Sequence, residues 1–592
     1  MSNWLDVNGD ASKLSEVEQI KAASDALYHP VAEELAKPDD HFSEEAVQVL
    51  KHHGTYQQDN RDVRLERKKK GLPPVYSMMI RTKFPGGRIT AEQYLVCDEL
   101  ADRYGQGDMR ATSRQDIQFH GVVKGNLRPL IHDLNHLARI TTLGGCGDVV
   151  RNTMAPPVAD IDPAYAGCGE DLIGLAEEIA QRTLPKTPSY FDLWIDDQKA
   201  QINPDGTVCF LSRSEPVDDP LYEKQYLPRK FKIGIATDFD NSVDVYTQDV
   251  GILAVTLPRY GGDGSGRIIG YEFLVGGGLG FSHTKENTYP RLGTPLYFVQ
   301  RDEIWPLLEA VIKIQRDYGE RNDRKQARLK YTLDRLGEAR FRELVREYAG
   351  RDFPPARGIA PVAQPDYLGW HAQQQPGLWY VGVWVENGRI RDMEDKGFRF
   401  KTGLKTVIER FRPSIRITPH HNIILAGIAE RDRDAVQSCL DEFGLPTDKG
   451  ISTLRRMEMA CPALPLCPLA QSESERVMPE FMRGLEEAGH GDAEVVFRMT
   501  GCPNGCARSS TSEIGLIGKG PGRYVLLVGG EYNGTRLNMP LDEKVRHEEV
   551  VPLIAGLLTL WKEHRQEGER FGDWSWRVGV EKLREMLGRT GK

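Results

Sequence analysis

No run of about eighteen apolar residues occurs in the chain, so no membrane-spanning helix is expected. The opening "MSNWLDVNGDASKLSEVEQ" has neither a basic start nor an apolar core. That excludes a secretory signal peptide and leads to an expected cytoplasmic location. No G-x-G-x-x-G stands between a strand and a helix, no Walker loop occurs, and "VGGGLG" is too short for a dinucleotide fingerprint. A chain with no flavin or nicotinamide domain needs a separate electron donor for any redox chemistry. Cysteine is sparse, with nine in 592 residues. Few and odd in number, the cysteines do not read as a disulfide framework. A net charge of −9 argues against a nucleic-acid partner, while basic residues clustered inside an acidic chain suit an anionic ligand.

What is present is ordinary globular material, 40% hydrophobic and 28% charged, long enough for roughly three to five domain-sized units. The chain repeats itself. "MRATSRQDIQFHG" (109–121) aligns without gaps on "IRITPHHNIILAG" (415–427) at an offset of 306. A Gly-Arg-Ile precedes each, at Gly87–Ile89 and Gly388–Ile390, and helical patterns ("TAEQYLVCDELADRYG", "LKTVIERF") lie between, which reads as strand, helix, strand twice over. A second pairing matches "GYEFLVGGGLG" (270–280) with "RYVLLVGGEYNG" (523–534). Upstream of these, "LPRKFKIGIA" and "VVFRMTGCPNG" both read as a basic strand entering a loop. Two related halves of two α+β units each follow, with a linker expected within 332–370, where "EYAGRDFPPARGIAPVAQPDYLGW" is rich in breakers.

Four cysteines form a constellation, Cys461 and Cys467 in "MACPALPLCPLA" and Cys502 and Cys506 in "TGCPNGCARS", spaced C-x5-C-x34-C-x3-C. Pro503 and Asn504-Gly505 make the second loop a turn rather than a helix. Four thiolates on two loops suit zinc or an iron–sulfur cluster. The five-residue gap is loose for a zinc knuckle, and a lone cysteine is usually a small buried hydrophobe. The basic residues add a second element. Arg81 and Lys83, then Arg110, Arg114, Gln118 and His120, then Arg151, and finally Arg229, Lys230 and Lys232 sit in strand-like or apolar runs. Alternation puts Arg110, Thr112 and Arg114 on one strand face and Lys230 and Lys232 on another. In "RNDRKQARLKY", Arg321, Arg324, Lys325 and Arg328 read as one face of a helix. So many cations suit a polycarboxylate better than a simple phosphate.

With "YQQDNRD", "RQDIQFHG", "YLPRKFK", "VGGGLG" and the two cysteine motifs in this order, nearly the whole chain resembles the assimilatory sulfite reductase hemoproteins, which belong to the sirohaem-dependent sulfite and nitrite reductases. The resemblance implies an α+β fold, internally duplicated around a pseudo-twofold axis. An N-terminal arm (1–60) would precede paired ferredoxin-like half-domains (61–155 and 365–435). A first α+β domain (156–345) and a second (436–592) carrying the cysteines complete it. It implies that Cys461, Cys467, Cys502 and Cys506 hold a [4Fe–4S] cluster, Cys506 also serving as axial ligand of sirohaem. Sirohaem contacts map onto Arg110, Thr112, Arg114, Gln118, His120, Arg328 and Asn504, and the anion-binding, proton-delivering set onto Arg81, Arg151, Lys230 and Lys232. The implied reaction is six-electron reduction of sulfite, fed by ferredoxin or by an NADPH-dependent flavoprotein subunit. The stretches "DYLGWH" and "EKLREML" look more like the ferredoxin-fed type. Nitrite reductase is the nearest alternative, although such enzymes typically carry asparagine at the position of Lys232, and a plain iron–sulfur electron carrier is the remoter one. The chain departs from some relatives at Gly147, where they have asparagine, and the repeat puts Ala426 opposite His120. Cys146, beside Arg151, reads as a buried inert thiol or a redox-active one.

Overall fold

The computed structural model describes residues 13–195, 200–202, 208–210, 219–257 and 266–589. Residues 1–12 of the expected N-terminal arm and the side chain of Cys209 lie outside the described residues. In chain order the first strands are β1 (Thr55–Asp59), β2 (Tyr76–Arg81), β3 (Arg88–Ile89), β4 (Met109–Ala111) and β5 (Ile117–Val122). A short hairpin, β6 and β7 (Ala200–Ile202, Val208–Phe210), precedes β8 (Ile233–Thr237), β9 (Val250–Thr256), β10 (Ile268–Val275) and β11 (Thr294–Val299). The second half opens with β12 (Gly369–Ala372), β13 (Leu378–Val383) and β14 (Arg389–Ile390). A hairpin, β15 and β16 (Asp392–Met393, Phe398–Arg399), then leads to β17 (Ser414–Ile417) and β18 (Ile423–Ala429). The last strands are β19 (Met459–Ala460), β20 (Phe497–Thr500), β21 (Ile514–Gly520), β22 (Arg523–Val528) and β23 (Met539–Arg546).

Four larger sheets come as two matched pairs. The first pair has strand orders β1-β2-β5-β4-β14 and β12-β13-β18-β17-β3 and is antiparallel throughout. Each half has the strand, helix, strand expected from the repeat, with its leading strand joined to the other half's sheet. The helix Ala91–Tyr104, started by a Thr90–Gln93 capping box, packs against the corresponding helix Phe400–Phe411 of the other half. The second pair has orders β11-β10-β9-β8 and β23-β22-β21-β20-β19. In both, a matching parallel pair (β8 with β9, β20 with β21) is extended by antiparallel strands, and β19 adds a second parallel pairing beside β20. Parallel bridges from Val150 to Phe231 and from Met154 to Gly234 stand where β19 stands in the other sheet. The second sequence pairing is thereby a structural one, β8 matching β20 and β10 matching β22. One continuous apolar core runs from Leu27 to Leu445, and the last unit has its own, from Leu454 to Leu583.

The two halves exchange strands. The Gly-Arg-Ile that precedes each repeat is the exchanged piece. Arg88–Ile89 (β3) pairs with Arg416 and Ile415 of the second half, and Arg389–Ile390 (β14) pairs with Arg110 and Met109 of the first. Each piece is entered through a left-handed glycine pressed on an equivalent carbonyl. A Cβ on Gly87 (φ +75°) would lie 2.5 Å from Ile417 O, and one on Gly388 (φ +74°) would lie 2.2 Å from Ala111 O. Residues 111 and 417 are again 306 apart. Only glycine tolerates both the backbone conformation and the approach.

One expectation is narrowed and another corrected. The linker expected within 332–370 occupies only the later part of that range, because Leu329–Leu336 and Glu338–Ala349 are helices. Apolar residues at helical spacing in "FRELVREYA" bury Phe341, Leu344 and Val345, and irregular chain starts at Gly350, where the prolines and glycines gather. The arm expected to reach residue 60 contributes β1, which pairs with β2. Among the described residues no helix is long and apolar enough to cross a membrane.

Gly388→Ala is expected to destabilise the chain by about 3 kcal/mol or more, since backbone clash adds to the about 1–2 kcal/mol of a left-handed L-residue. Gly427→Ala, also left-handed (φ +79°) but with nothing within 4 Å, should cost only the latter. Urea unfolding of the two variants measures the difference, and equal midpoints would contradict the close crossing.

Candidate active site

Sheet pairing builds one wall of the site. Arg81 on β2 lies opposite Gln118 on β5, Gln118 opposite Arg110 on β4, and Arg110 opposite Arg389 on β14. Directly paired residues share a sheet face, so these four form a row, with His120 two positions along β5 on the same side and Thr112 just past the end of β4. Gln118, with its amide oxygen turned toward Arg81, accepts from Arg81 Nε at 3.0 Å. Burial is the largest influence and works against the Arg81 cation, but Asp116, 3.6 Å away, followed by Cys146, Tyr56 and Cys506, together outweigh it and hold the guanidinium above its ordinary pKa. Arg110 donates through Nη2 to Ala460 O at 2.8 Å and lies 3.2 Å from Glu475, so it ties the wall to the end of β19. His120 is buried, and burial followed by the charges of Arg389, Arg110 and Arg81 drives its pKa well down, leaving a neutral ring.

Arg114 departs from the expected strand face. β4 ends at Ala111 and residues 112–116 turn, with Gln115 left-handed at φ +57°. Thr112 Oγ1 closes this turn on Asp116 at 2.6 Å. Arg114 then leaves the sheet to donate to Gln248 Oε1 at 2.5 Å and Ile233 O at 2.8 Å in the neighbouring unit. Asx and Thr chemistry in "ATSRQD" competes with strand geometry, which alternation alone does not register. Lys83 is likewise outside the row. It is buried and donates to Ala180 O at 3.2 Å.

The second wall is the segment leading into β8. Phe231 bridges to Val150 and is buried, while Arg229, Lys230 and Lys232 are half-buried beside it. Arg151 is fixed by Gly147 O (2.9 Å from Nε) and Gly145 O (3.1 Å from Nη1). Gly147 has φ +88°, and a Cβ there would lie 2.7 Å from His52 Cα, so asparagine does not fit at this position. Asp249 accepts from the backbone N–H of Lys232 at 2.8 Å and takes both arms of Arg328 at 2.8 and 3.0 Å. Arg321, Arg324, Lys325 and Arg328 do not share a helix. Residues 324–326 form a single tight turn, and Arg328 caps the helix that starts at Leu329. Arg321 is spent on Glu18 and Arg324 on Asp148, so of the four only Arg328 stands beside Lys232.

Lys230 and Lys232 make no side-chain hydrogen bond or ion pair among the described residues. Burial, then Arg229, Arg328 and Arg151, push Lys230 down to about 7. Burial and then Lys230 itself push Lys232 well below its ordinary value. These cations repel one another. Cys506 acts in the opposite sense on Arg81, Lys230 and Lys232, which places its thiol before both walls.

The cysteines stand at the ends of two adjacent parallel strands. β19 and β20 pair in parallel, so the loops that follow them leave side by side, Cys461 and Cys467 on one and Cys502 and Cys506 on the other. Gly501 N donates to Cys461 Sγ at 3.3 Å and Asn504 Nδ2 to Cys502 Sγ at 3.3 Å. Burial first, and then Cys506, push Cys461, Cys467 and Cys502 up to about 12, so a positive group is needed to hold them as thiolates. No three His, Cys, Asp or Glu side chains among the described residues are grouped to hold a single metal ion. Four mutually interacting thiols on two adjacent loops fit an iron–sulfur cluster. The glycine loop after β10 packs on the second cysteine loop. Phe281 N donates to Pro503 O at 3.0 Å, and a Cβ on Gly280 would lie 3.3 Å from Asn504 O. A Cβ on Gly278 would lie 3.0 Å from Arg328 Nη2. The unpartnered buried Arg114 Nε and His120 Nδ1, the free lysines and the open glycine backbone fit a large, flat polycarboxylate.

Several participants escaped the sequence reading. Tyr56 lies beside Arg151 and Arg81, and Lys51 is pushed down to about 8 by burial and then Arg324. Asp116 and Asp249 are the buried anchors of the two walls. Arg508 is in ion contact with Asp244 and donates to Ser113 O at 3.2 Å and Pro419 O at 3.0 Å. "YQQD" and "CARSS" advertise none of this, because the partners are remote in the chain.

Family models match this organisation. "Nitrite and sulphite reductase 4Fe-4S domain" covers residues 181–353 and 454–591, and "Nitrite/Sulfite reductase ferredoxin-like half domain" covers residues 73–137 and 371–443. The chain is 39% identical to "Sulfite reductase [ferredoxin]" of Synechococcus elongatus, over 97% of this chain and 91% of the relative. It is 38% identical to "Sulfite reductase [NADPH] hemoprotein beta-component" of Staphylococcus saprophyticus, over 97% and 98%. The solved structure of Mycobacterium tuberculosis NirA protein shares the fold, with a TM-score of 0.74 at 24% identity over 96% of this chain and 98% of that one.

A lysine whose pKa falls from 10.5 to about 7 binds its proton less tightly in the native chain than in the unfolded one. Native stability therefore rises with pH across that window. In ligand-free protein, Lys230→Met is expected to stabilise by about 1–2 kcal/mol near pH 6, allowing for solvent screening, with the gain fading toward pH 10. Thermal melts at both pH values test this, and a destabilised variant at pH 6 would contradict the frustrated cation pair.

Proposed function

Because the chain belongs to the nitrite and sulfite reductase family, we propose that it reduces sulfite to sulfide with electrons from a separate donor protein. Six electrons and six protons convert hydrogen sulfite into hydrosulfide and three waters. The observation that carries this reading is a four-thiol array set before cations that the protein leaves without counter-charge.

In this reading Cys461, Cys467, Cys502 and Cys506 would hold the [4Fe–4S] cluster, and Cys506 would also serve sirohaem. Arg110, Thr112, Arg114, Gln118, His120, Arg328 and Asn504 would help to hold the macrocycle. When bound, the two groups would supply stored electrons and a redox-active iron. The chain's own residues do the rest. Arg81, pinned by Asp116 and Gln118, and Arg151, pinned by two backbone carbonyls, are rigid donors aimed at the substrate's oxygens. Guanidinium groups do not give up protons in proteins, so these two orient and neutralise. Lys230 and Lys232 are the groups suited to deliver protons. Their donors are free, and burial brings Lys230 to about 7, close to the pH at which a general acid works best. Each oxygen that leaves as water takes protons from this side. A cytoplasmic location accords with free thiols at Cys97, Cys146, Cys168 and Cys439 as well as in the array.

Purified protein is expected to contain about five irons per chain, four in the cluster and one in sirohaem. Cys506→Ser should lose or uncouple both chromophores, whereas Cys439→Ser, in the remote helix Arg433–Glu442, should keep both. Zinc in place of iron, or equal damage from the two variants, would sink the assignment.

Lys232→Asn removes one charge from a partly desolvated site and should cost roughly 2–4 kcal/mol in the sulfite transition state, a factor of about 30 to 1000 in kcat/KM. Nitrite, with a single charge, should lose far less. Steady-state assays of both anions with reduced methyl viologen measure this. A wild type that prefers nitrite, together with equal losses in the variant, would assign the enzyme to nitrite instead.

A further inference from the structure

Electrons must enter beside the cysteine array, and one surface there is built unlike the rest of this acidic chain. Resting on the reductase reading above, we propose that a basic and apolar face beside the Cys461–Cys467 loop docks a small acidic one-electron carrier protein. The face consists of Arg61, Leu65, Lys68 and Lys69 with Leu466 and Leu469.

The helix Arg61–Lys69 buries none of its residues yet is fastened to the cysteine loop. Arg61 Nη1 donates to the carbonyls of Cys467, Pro468 and Ala470 at 3.3, 3.4 and 2.6 Å, and Arg61 N donates to Pro465 O at 3.3 Å. Leu65, Lys68 and Lys69 follow Arg61 at i+4, i+7 and i+8, so they continue the same helix face away from the loop. Leu65 is 71% exposed and Leu469 62%. Of nine large hydrophobic residues exposed among the described residues, four (Leu65, Leu72, Val75 and Leu469) belong to this helix, the segment that leads from it into β2, and this loop. Such concentration marks an interaction surface rather than scattered exposure.

The charge is equally lopsided. The helix's own carboxylates are taken, Asp62 by Arg476 and Glu66 by Lys70, and Arg64 is paired with Asp59. Arg61, Arg67, Lys68 and Lys69 have no carboxylate partner among the described residues. A positive patch on a chain of net charge −9 selects and steers an acidic partner. Nine helical residues span about 13 Å, the scale of a small, transient complex rather than of a permanent subunit. Cys467 is half-buried and Pro468 and Leu469 are exposed, so a carrier seated here is separated from the array by little more than the loop. Each docking oxidises the carrier by one electron and reduces the enzyme by one, and six dockings supply one sulfite.

The test uses holoenzyme and an acidic [2Fe–2S] ferredoxin. Calorimetry at low ionic strength gives Kd, and steady-state assays give the KM for ferredoxin. Reduced methyl viologen serves as a carrier that needs no docking. The double variant Lys68→Glu, Lys69→Glu is expected to raise both Kd and KM about tenfold or more. Wild-type binding should weaken steeply with salt, and activity with methyl viologen should not change. Leu65→Ala with Leu469→Ala should weaken binding without altering its salt dependence. Unchanged ferredoxin binding in the charge-reversed variant overturns the proposal. So does a parallel fall in methyl viologen activity, or a wild type that ignores ferredoxin and instead retains a flavoprotein subunit. If ferredoxin binds as expected and reduces the enzyme while sulfite stays unreduced, the docking surface stands and the sulfite reading falls.

Discussion

The contact between Arg508 and Asp244 holds this architecture to its purpose. Arg508 follows Cys506 by two residues, and its planar fork donates one arm to Ser113 O and the other to Pro419 O. Those two carbonyls are 306 residues apart, equivalent positions in the duplicated halves, so the guanidinium sits where the pseudo-twofold axis must pass. Asp244, from the loop after β8, balances it and also binds Arg498 of β20 at 2.7 Å. All three charges are nearly inaccessible to solvent. Breaking one partner of such a set typically costs about 3–5 kcal/mol. The cysteine loop thereby takes its position from both half-domains and the first α+β unit at once. An arginine suits this task where lysine does not, because a rigid fork can face two carbonyls symmetrically.

Duplication explains what the halves share, and divergence explains why there is one site. Loops cross between equivalent units in both directions. The glycine loop after β10 rests on Pro503 and Asn504, and the loop after β22 rests on the loop after β8, where Asn241 Nδ2 donates to Asn533 O at 2.7 Å. On the half-domain sheets, Gln118 and His120 correspond to Ile424 and Ala426, both buried in the apolar core. The second half-domain has lost the polar wall, while the second α+β unit has the cysteines. Each half supplies what the other lacks.

Much of this was legible in the sequence, and the part that was not has a common cause. Cys461, Cys467, Cys502 and Cys506 stand out because cysteine is scarce and their loops are punctuated by proline and glycine. The repeat survived because Gly87 and Gly388 are sterically fixed at the strand exchange. Arg110 was readable from alternation, and Gln118 and His120 from their place in a strand-like run. Arg114 was not, because the turn closed by Thr112 and Asp116 ends the strand early. Arg321 and Arg324 looked like one helical face with Arg328, yet Glu18 and Asp148, some 300 and 176 residues away, claim them individually. Asp249, Asp116 and Arg508 were invisible for the same reason, since a buried ion pair leaves no periodic trace at either end of the chain.

The exchanged strands also govern how the chain emerges during synthesis. The first sheet has its β4 edge at Met109–Ala111, and the strand that covers it, Arg389–Ile390, is made about 280 residues later. At typical synthesis rates that interval is roughly 15–60 s. Throughout it the nascent first half carries an open strand edge and an incomplete seat for Gly388. A chaperone that shields a short β-edge, or slow release from the ribosome, would act on this interval. The second half, by contrast, finds β3 already waiting when β17 is made. The pseudo-twofold symmetry of the finished molecule is absent from its assembly, in which one half serves as template and the other as closure.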